Sequence, residues 1–205
     1  MFQILSLKNG LDNVQGFFNG SANVGLRTKP NEDGSLDGDV AFIRSDKPCD
    51  VVARFTTNRF AAAPIKHFQR YNKGFQTNFV LINAKNANAM TGIKGIEDID
   101  TLFSKLDRKI ELKNPIMSST GVIGYRLPLD KLVTAFDSFD FDAKNSNKTA
   151  RAIMTTDSFK KEICFKITLD NGNSFHIAAI AKGAGMINPA MATMLCFIVT
   201  DADIP

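Results

Sequence analysis

Thr193 sits between a Gly/Pro-rich approach, Lys182-Gly183-Ala184-Gly185-Met186-Ile187-Asn188-Pro189-Ala190-Met191-Ala192, and an apolar run from Met194 to Val199. Gly183, Gly185 and Pro189 disfavour regular structure, so the approach reads as a kinked loop. The run after Thr193 reads as a short buried strand. A hydroxyl held at such a junction can attack the carbonyl just before it, that of Ala192. Cleavage there would free a threonine with its own α-amino group, whose ordinary pKa of ~7.7–8.0 suits it to take the proton of its own hydroxyl. A β-branched residue at the start of a strand is also ordinary sheet structure. The residues alone leave nucleophile and plain strand residue both open.

Other positions offer complementary groups. Ser118-Ser119-Thr120-Gly121 supplies hydroxyls and a glycine N–H that no side chain shields. Acyl transfer passes through an oxyanion that needs fixed donors, and the same four residues also suit an ordinary strand-ending turn. Lys182 stands eleven positions before Thr193 (193 minus 182) and can meet a carboxylate as a point charge. Thr155 and Thr156 form a polar turn after a helical stretch. Asn86 and Asn88 read as loop-stabilising residues. His67 and His176 do not make a triad, because His176 alternates with apolar neighbours, His67 follows a proline turn, and no G-x-S-x-G elbow is present.

The elements that must position these groups are legible in part. Val40–Arg44 and Val51–Thr56 look like strands around an Asp46-Lys47-Pro48 turn, and Phe79–Ile82 looks like another strand. Ile96, Ile99, Leu102, Phe103 and Leu106 are spaced for one helical face, as are the apolar residues of Leu129–Phe136 after Pro128. Asn145–Met154 suggests a third helix. Lys161–Leu169 and Ser174–Ile180 flank Asp170-Asn171-Gly172-Asn173 as a β-hairpin. A polar Asp/Gly loop covers Asp33–Asp39. Strands mixed with one-sided helices predict an α/β or α+β layered domain.

The 205 residues suit one domain, with 44% hydrophobic content and a net charge of +4. No basic stripe interleaved with aromatics is present, so nucleic-acid binding is disfavoured. Three widely spaced cysteines, Cys49, Cys164 and Cys196, argue against a disulfide framework or a zinc site and for a reducing cytosol. No metal-ligand cluster is seen. No apolar run approaches the ~20 residues of a membrane span, and the first residues lack the charge order of a secretory signal.

Lys182-Gly183, Gly185-Met186-Ile187, Pro189, Met191-Ala192-Thr193-Met194-Leu195 and Thr200-Asp201-Ala202 closely resemble the cleavage motif of the ornithine acetyltransferase family, the bifunctional glutamate N-acetyltransferases of arginine biosynthesis. The likeness continues in order through Gly16-Phe17 with Gly20 and Gly25-Leu26, Phe55-Thr56-Thr57-Asn58 with Ala62-Ala63-Pro64, Asn86-Ala87-Asn88-Ala89 with Thr91-Gly92, Ser118 to Gly124, and Ile153 to Asp157. There are two small departures. Ala84-Lys85 stands where relatives commonly carry Ser-Gly, and Ala190 where a polar residue is common. Family members are roughly twice as long.

The resemblance implies a sandwich of sheets with outer helices, cut between Ala192 and Thr193 into a first chain, 1–192, and a second beginning at 193–205. It implies that Thr193 is the nucleophile, that the Thr120 hydroxyl and the Gly121 N–H form the oxyanion hole, that Lys182 holds the α-carboxylate, and that Thr155 (or the adjacent Thr156) contacts substrate. The implied reaction moves an acetyl group from N-acetylornithine to glutamate through an acetyl-threonine ester, with acetyl-CoA as a possible co-substrate and no cofactor or metal. The implied assembly is a cytoplasmic heterotetramer of two copies of each chain, with no nucleic acid or membrane partner. Two alternatives accompany it: a related self-processing amidase or aminopeptidase, and a truncated subunit that folds or binds a partner without turnover. A sheet lacking its second half should leave an apolar face exposed.

Overall fold

The computed structural model of the chain describes residues 2–183 and 194–204. Among them the strands form two four-stranded sheets. The first contains β2 (Phe17–Ala22), β3 (Val40–Asp50), β4 (Gln76–Asn83) and β5 (Ile116–Ser119), side by side in that order. Its pairs are antiparallel except β4 with β5, which is parallel. A parallel pair needs a long crossover, and α2 (Gly92–Leu106) lies within it.

Both faces of this sheet are apolar, as a sheet covered on both sides requires. Val40, Phe42, Phe79 and Leu81 point to a cluster with Ile99, Leu102, Phe103 and Leu106 of α2 and Leu132, Ala135 and Phe136 of α3 (Leu129–Ser138). Phe42 is its centre, with the rings of Phe139 and Phe141 at 4.9 and 5.3 Å. Ala41, Ile43 and Ile82 point the other way, into the space between the sheets.

The second sheet is antiparallel throughout, in the order β1 (Gln3–Leu7), β6 (Lys161–Thr168), β7 (Ser174–Lys182), β8 (Leu195–Thr200). Cys164, Ala178, Ile180, Leu195, Phe197 and Val199 line its inner face. The 3-10 turn Gly10–Asn13 and α4 (Ser146–Ala152) close one margin with Leu11, Ala150 and Ile153. Asn145 caps α4, its side chain accepting from the Lys148 N–H at 3.2 Å. The result is the expected layered α+β sandwich. Helices α2 and α3 cover the far face of the first sheet, while the far face of the second carries exposed isoleucines. Ile4, Ile163 and Ile198 share that face by register and are 60%, 47% and 66% exposed.

Three expectations are corrected. No turn interrupts the chain at Asp46-Lys47-Pro48; β3 runs on to Asp50 through a register shift between Arg44 and Cys49. Val51–Thr56 is not a strand. Asp50 pairs with Gln76, where β4 begins, so residues beyond Asp50 have no neighbour to bond. Val51 and Phe55 instead line an apolar cavity of about 580 Å³ with Met117 and Phe197. The run after Thr193 forms the strand β8, but it is an edge strand and only half-buried. The sequence pattern did not single out the short strands β1, β2 and β5 or helix α1 (Ala63–Phe68).

His67 on α1 is a core residue, 5% exposed, with Nε2 3.2 Å from Asp100 of α2. Burial pushes its pKa down, and the Asp100 carboxylate only partly opposes this. The unfolded chain therefore takes up a proton, near ~pH 6.5, before the folded one does. His67 contributes stability that is full above that pH and is lost as pH falls through the lower folded-state value. Urea midpoints measured from pH 7.5 down to 5 should decline, and His67→Gln should flatten that part of the profile. Parallel profiles would remove His67 from the account.

Candidate active site

Lys182 ends β7 on the inner face of the second sheet and is 4% exposed. A buried ammonium is costly unless it is hydrogen-bonded. Its Nζ donates to Thr120 Oγ1 at 3.1 Å and to Thr155 Oγ1 at 2.7 Å. Burial pushes the Lys182 pKa below the ordinary lysine value, and Asp157 counters part of that shift. The two hydroxyls come from opposite sides. Thr120 follows β5 of the first sheet, its N–H bonded to the Asn83 carbonyl at 3.0 Å. Thr155 follows α4, and the neighbouring Thr156 is exposed.

Asp157, a residue that sequence reasoning quoted without a role, ties the cluster together. Its Oδ1 accepts from the Gly183 N–H at 2.7 Å and from Lys161 Nζ at 2.8 Å, and its Oδ2 from the Thr155 N–H at 3.2 Å. Burial would raise its pKa, but Lys161 and these two N–H groups outweigh it and hold the carboxyl below the usual range. The signal available in the sequence was Thr-x-Asp, where an acid two residues on can accept from the threonine N–H.

Gly121 has φ +136°, a backbone region that favours glycine. A β-carbon there would overlap the backbone of Lys85 and Asn86, lying 2.5 Å from the Asn86 nitrogen. The Lys85–Asn86 loop therefore seats directly on the Thr120–Gly121 turn, and the Val122 N–H bonds the Lys85 carbonyl at 3.1 Å. Asn86 and Asn88 build that loop. Asn86 Nδ2 donates to the Arg126 carbonyl at 2.9 Å, Asn86 Oδ1 accepts from the Asn88 N–H at 2.8 Å, and Asn88 Nδ2 donates to the Gly95 carbonyl at 2.9 Å.

A polar cavity of about 700 Å³ opens beside Thr155 and Asp157 and is bordered by Arg27 and Lys85. Arg27 is placed by Asp39, wholly buried, whose carboxylate accepts from the Val24, Leu26 and Arg27 N–H groups at 2.9, 2.6 and 2.7 Å. Sequence reasoning assigned no role to Arg27 or Lys85, which border this cavity. Thr120, Gly121, Thr155 and Lys182 are brought together. Ala192 and Thr193 lie outside the described residues. The strands flanking that segment meet at the cluster, since Leu195 pairs with Lys182 and Met194 Cγ lies 3.3 Å from where a Gly183 β-carbon would be. Among the described residues no group of three or more His, Cys, Asp or Glu could hold a metal, and no helix is long and apolar enough to cross a membrane.

Two sheets pack face to face, with two hydroxyls and a buried ammonium brought together at strand ends, and the fold is shared with solved proteins of arginine biosynthesis. The crystal structure of the arginine biosynthesis bifunctional protein ArgJ from Bacillus halodurans superposes with a TM-score of 0.80 at 26% identity, covering 91% of this chain and 96% of that one. Ornithine acetyltransferase from Mycobacterium tuberculosis, solved with ornithine, gives 0.71 at 27% identity, covering 91% and 97%. A match to the ArgJ family spans residues 20–205, and the chain belongs to that family. It is 53% identical to the bifunctional ArgJ protein of Wolinella succinogenes over 206 residues, covering 100% of this chain and 50% of that protein. It is 40% identical to the one of Dehalococcoides mccartyi, covering 93% and 46%. The chain thus spans about half the length of the curated relatives it matches.

The contact between Gly121 and the Lys85 loop is directly testable. Gly121→Ala introduces both a collision and an unfavourable φ, and should lower the unfolding free energy by about 2 kcal/mol or more. Denaturant titration reads this. A loss under about 0.5 kcal/mol, the range of an ordinary surface change, would mean the loop can retreat freely.

Proposed function

We propose that this chain is the N-terminal portion of a glutamate N-acetyltransferase of the ornithine acetyltransferase type, with Thr193 as its nucleophile. The observation that carries the reading is the Lys182 ammonium shared between the hydroxyls of Thr120 and Thr155. Lysine only donates, so both threonine oxygens are acceptors towards it and each hydroxyl proton is left to point elsewhere. The Thr120 proton, with the Gly121 N–H, then suits an oxyanion, and the Thr155 proton suits a bound substrate.

In this reading the Thr193 hydroxyl first attacks the Ala192 carbonyl, and the Ala192–Thr193 C–N bond breaks to leave an ester on the threonine oxygen and a free α-amino group. Water hydrolyses that ester to release the first chain and restore the hydroxyl. The freed amine takes the hydroxyl proton as Thr193 attacks the acetyl carbon of N-acetylornithine. The C–N bond breaks, the proton passes to the departing amine, and ornithine leaves an acetyl-threonine ester. The glutamate amine then attacks the ester, forming N-acetylglutamate and restoring the hydroxyl. Lys182 holds the α-carboxylate in both halves. Acetyl-CoA fits the same chemistry as donor, because a thioester is attacked in the same way. No cofactor or metal takes part, and the setting is the cytoplasm.

Chain lengths support the cleavage step. Full-length relatives are about twice as long as this chain, whereas the two solved chains are matched over 96% and 97% of their length. A precursor divided near this point would give that contrast. The second chain, covering the exposed isoleucine face, would complete a tetramer of two copies of each.

Intact mass under denaturing conditions tests this reading. The parent should lose its final thirteen residues (205 minus 192), and Thr193→Ala should not. An uncleaved mass in both would show that this chain alone does not assemble the chemistry. In the full-length enzyme, Thr120→Val should cut kcat about 10²–10³-fold, the usual cost of one oxyanion donor. A loss below tenfold would remove Thr120 from the oxyanion hole.

A further inference from the structure

We propose that Asp157 is a positioning residue for the proposed acyl transfer: its carboxylate closes a ring of bonds that sets the Lys182 ammonium against the Thr155 hydroxyl. The functional consequence rests on the proposed substrate contacts of Lys182 and Thr155, and the ring itself does not.

The ring is built from two short pieces of chain. Thr155 and Asp157 lie two residues apart on the turn after α4, and Lys182 and Gly183 are neighbours at the end of β7. Two bonds join the pieces. Lys182 Nζ donates to Thr155 Oγ1 at 2.7 Å, and the Gly183 N–H donates to Asp157 Oδ1 at 2.7 Å. The Thr155 N–H bonds Asp157 Oδ2 at 3.2 Å and braces the turn from within. The sheet does not require this carboxylate. β7 is paired along both edges up to the same point, Ala181 with Lys161 and Lys182 with Leu195. What Asp157 adds is the placement of the Thr155 turn against the strand that carries the ammonium.

The chemistry of the ring calls for an ionised carboxylate. The Asp157 side chain is wholly buried, and among the described residues its partners are donors alone: the two N–H groups and Lys161 Nζ. A carboxylate accepts at both oxygens, whereas an amide of the same shape has one accepting oxygen and a nitrogen that only donates. Asparagine would therefore serve Gly183 or Thr155 and leave the other N–H facing a donor. Charge acts in the same direction. Burial is the main force against the Lys182 ammonium; of the charged groups facing it, Asp157 favours that form, and Lys161 and Lys85 oppose it. A neutral group in place of Asp157 thus loosens the turn and leaves a buried cation with less support.

Asp157→Asn keeps the shape and removes the charge. In an uncleavable Thr193→Ala background, NMR titration of isotope-labelled lysine side chains follows Lys182 in folded molecules alone, with Lys182→Arg to assign its signal. The Lys182 midpoint should be lower in Asp157→Asn than with Asp157 present. In the full-length enzyme, Asp157→Asn should raise KM for N-acetylornithine and for glutamate about tenfold or more, the scale of one lost charged hydrogen bond. A role in folding alone would instead shrink the folded fraction, lowering kcat and leaving KM. An unmoved Lys182 midpoint, or parental KM values beside a lowered kcat, overturns the proposal. Should Asp157→Asn not fold, Lys161→Met replaces it as the variant, since the Lys161 side chain is partly exposed. Asp157 is faced by Lys161 and Lys182. Burial already raises its pKa, and Lys161→Met removes a cation that lowers it. The Gly183 and Thr155 amide signals should then titrate with one shared midpoint above the parent's, and separate midpoints overturn the ring. A lowered Lys182 midpoint in Asp157→Asn, without acetyl transfer by the full-length parent, would sink the transferase reading and leave the ring standing.

Discussion

A lysine ammonium inside a two-sheet sandwich is the interaction on which the rest depends. Removing it from water is unfavourable by several kcal/mol, after relaxation, unless polar groups replace the solvent. The sequence supplies those groups from two separated places: the turn after β5, and the turn after α4, which carries both Thr155 and the carboxylate of Asp157. Each of these is fixed in turn by backbone bonds. Thr120 hangs from Asn83, and Asp157 collects the N–H groups of Thr155 and Gly183. Burying one charge thus sets the positions of two hydroxyls.

The layers explain how such distant segments meet. Alternation along β4 sends Phe79 and Leu81 to the helices and Ile82 to the opposite sheet, so the first sheet is gripped from both sides. β5 pairs in parallel with β4, which brings Ser119 level with Asn83 and delivers Thr120 at the C-terminal end of both strands. Alternation along β7 buries Ala178, Ile180 and Lys182 on one face. The lysine is inside because it keeps step with alanine and isoleucine.

Much of this was legible in the sequence where one residue's neighbours decide the outcome. The 3.6-residue spacing of Ile99, Leu102, Phe103 and Leu106 needed only a core to face, and the Asn171-Gly172 turn needed only its two strands. The convergence of Thr120, Gly121, Thr155 and Lys182 was legible through family motif and not through pattern. Failures occurred where a partner decides. Val51–Thr56 has strand-forming residues but nothing to pair with, and β1 looks nondescript until β6 accepts it 157 residues later or more (164 minus 7, for Leu7 with Cys164). That Arg27 and Lys85 border one cavity was not legible, because the contact of one loop with the end of α4 and the seating of another on Gly121 are tertiary facts.

Strand order also has a temporal side. The first sheet, from Phe17 to Ser119, is complete early in the chain, whereas the second waits for residues beyond Lys161, with β1 held in reserve for β6. A chain emerging from its N-terminus therefore presents the Thr120 turn long before Lys182 exists to orient it. Any polypeptide cut short before β7 carries the Thr120 and Thr155 hydroxyls without the ammonium that bonds both of them.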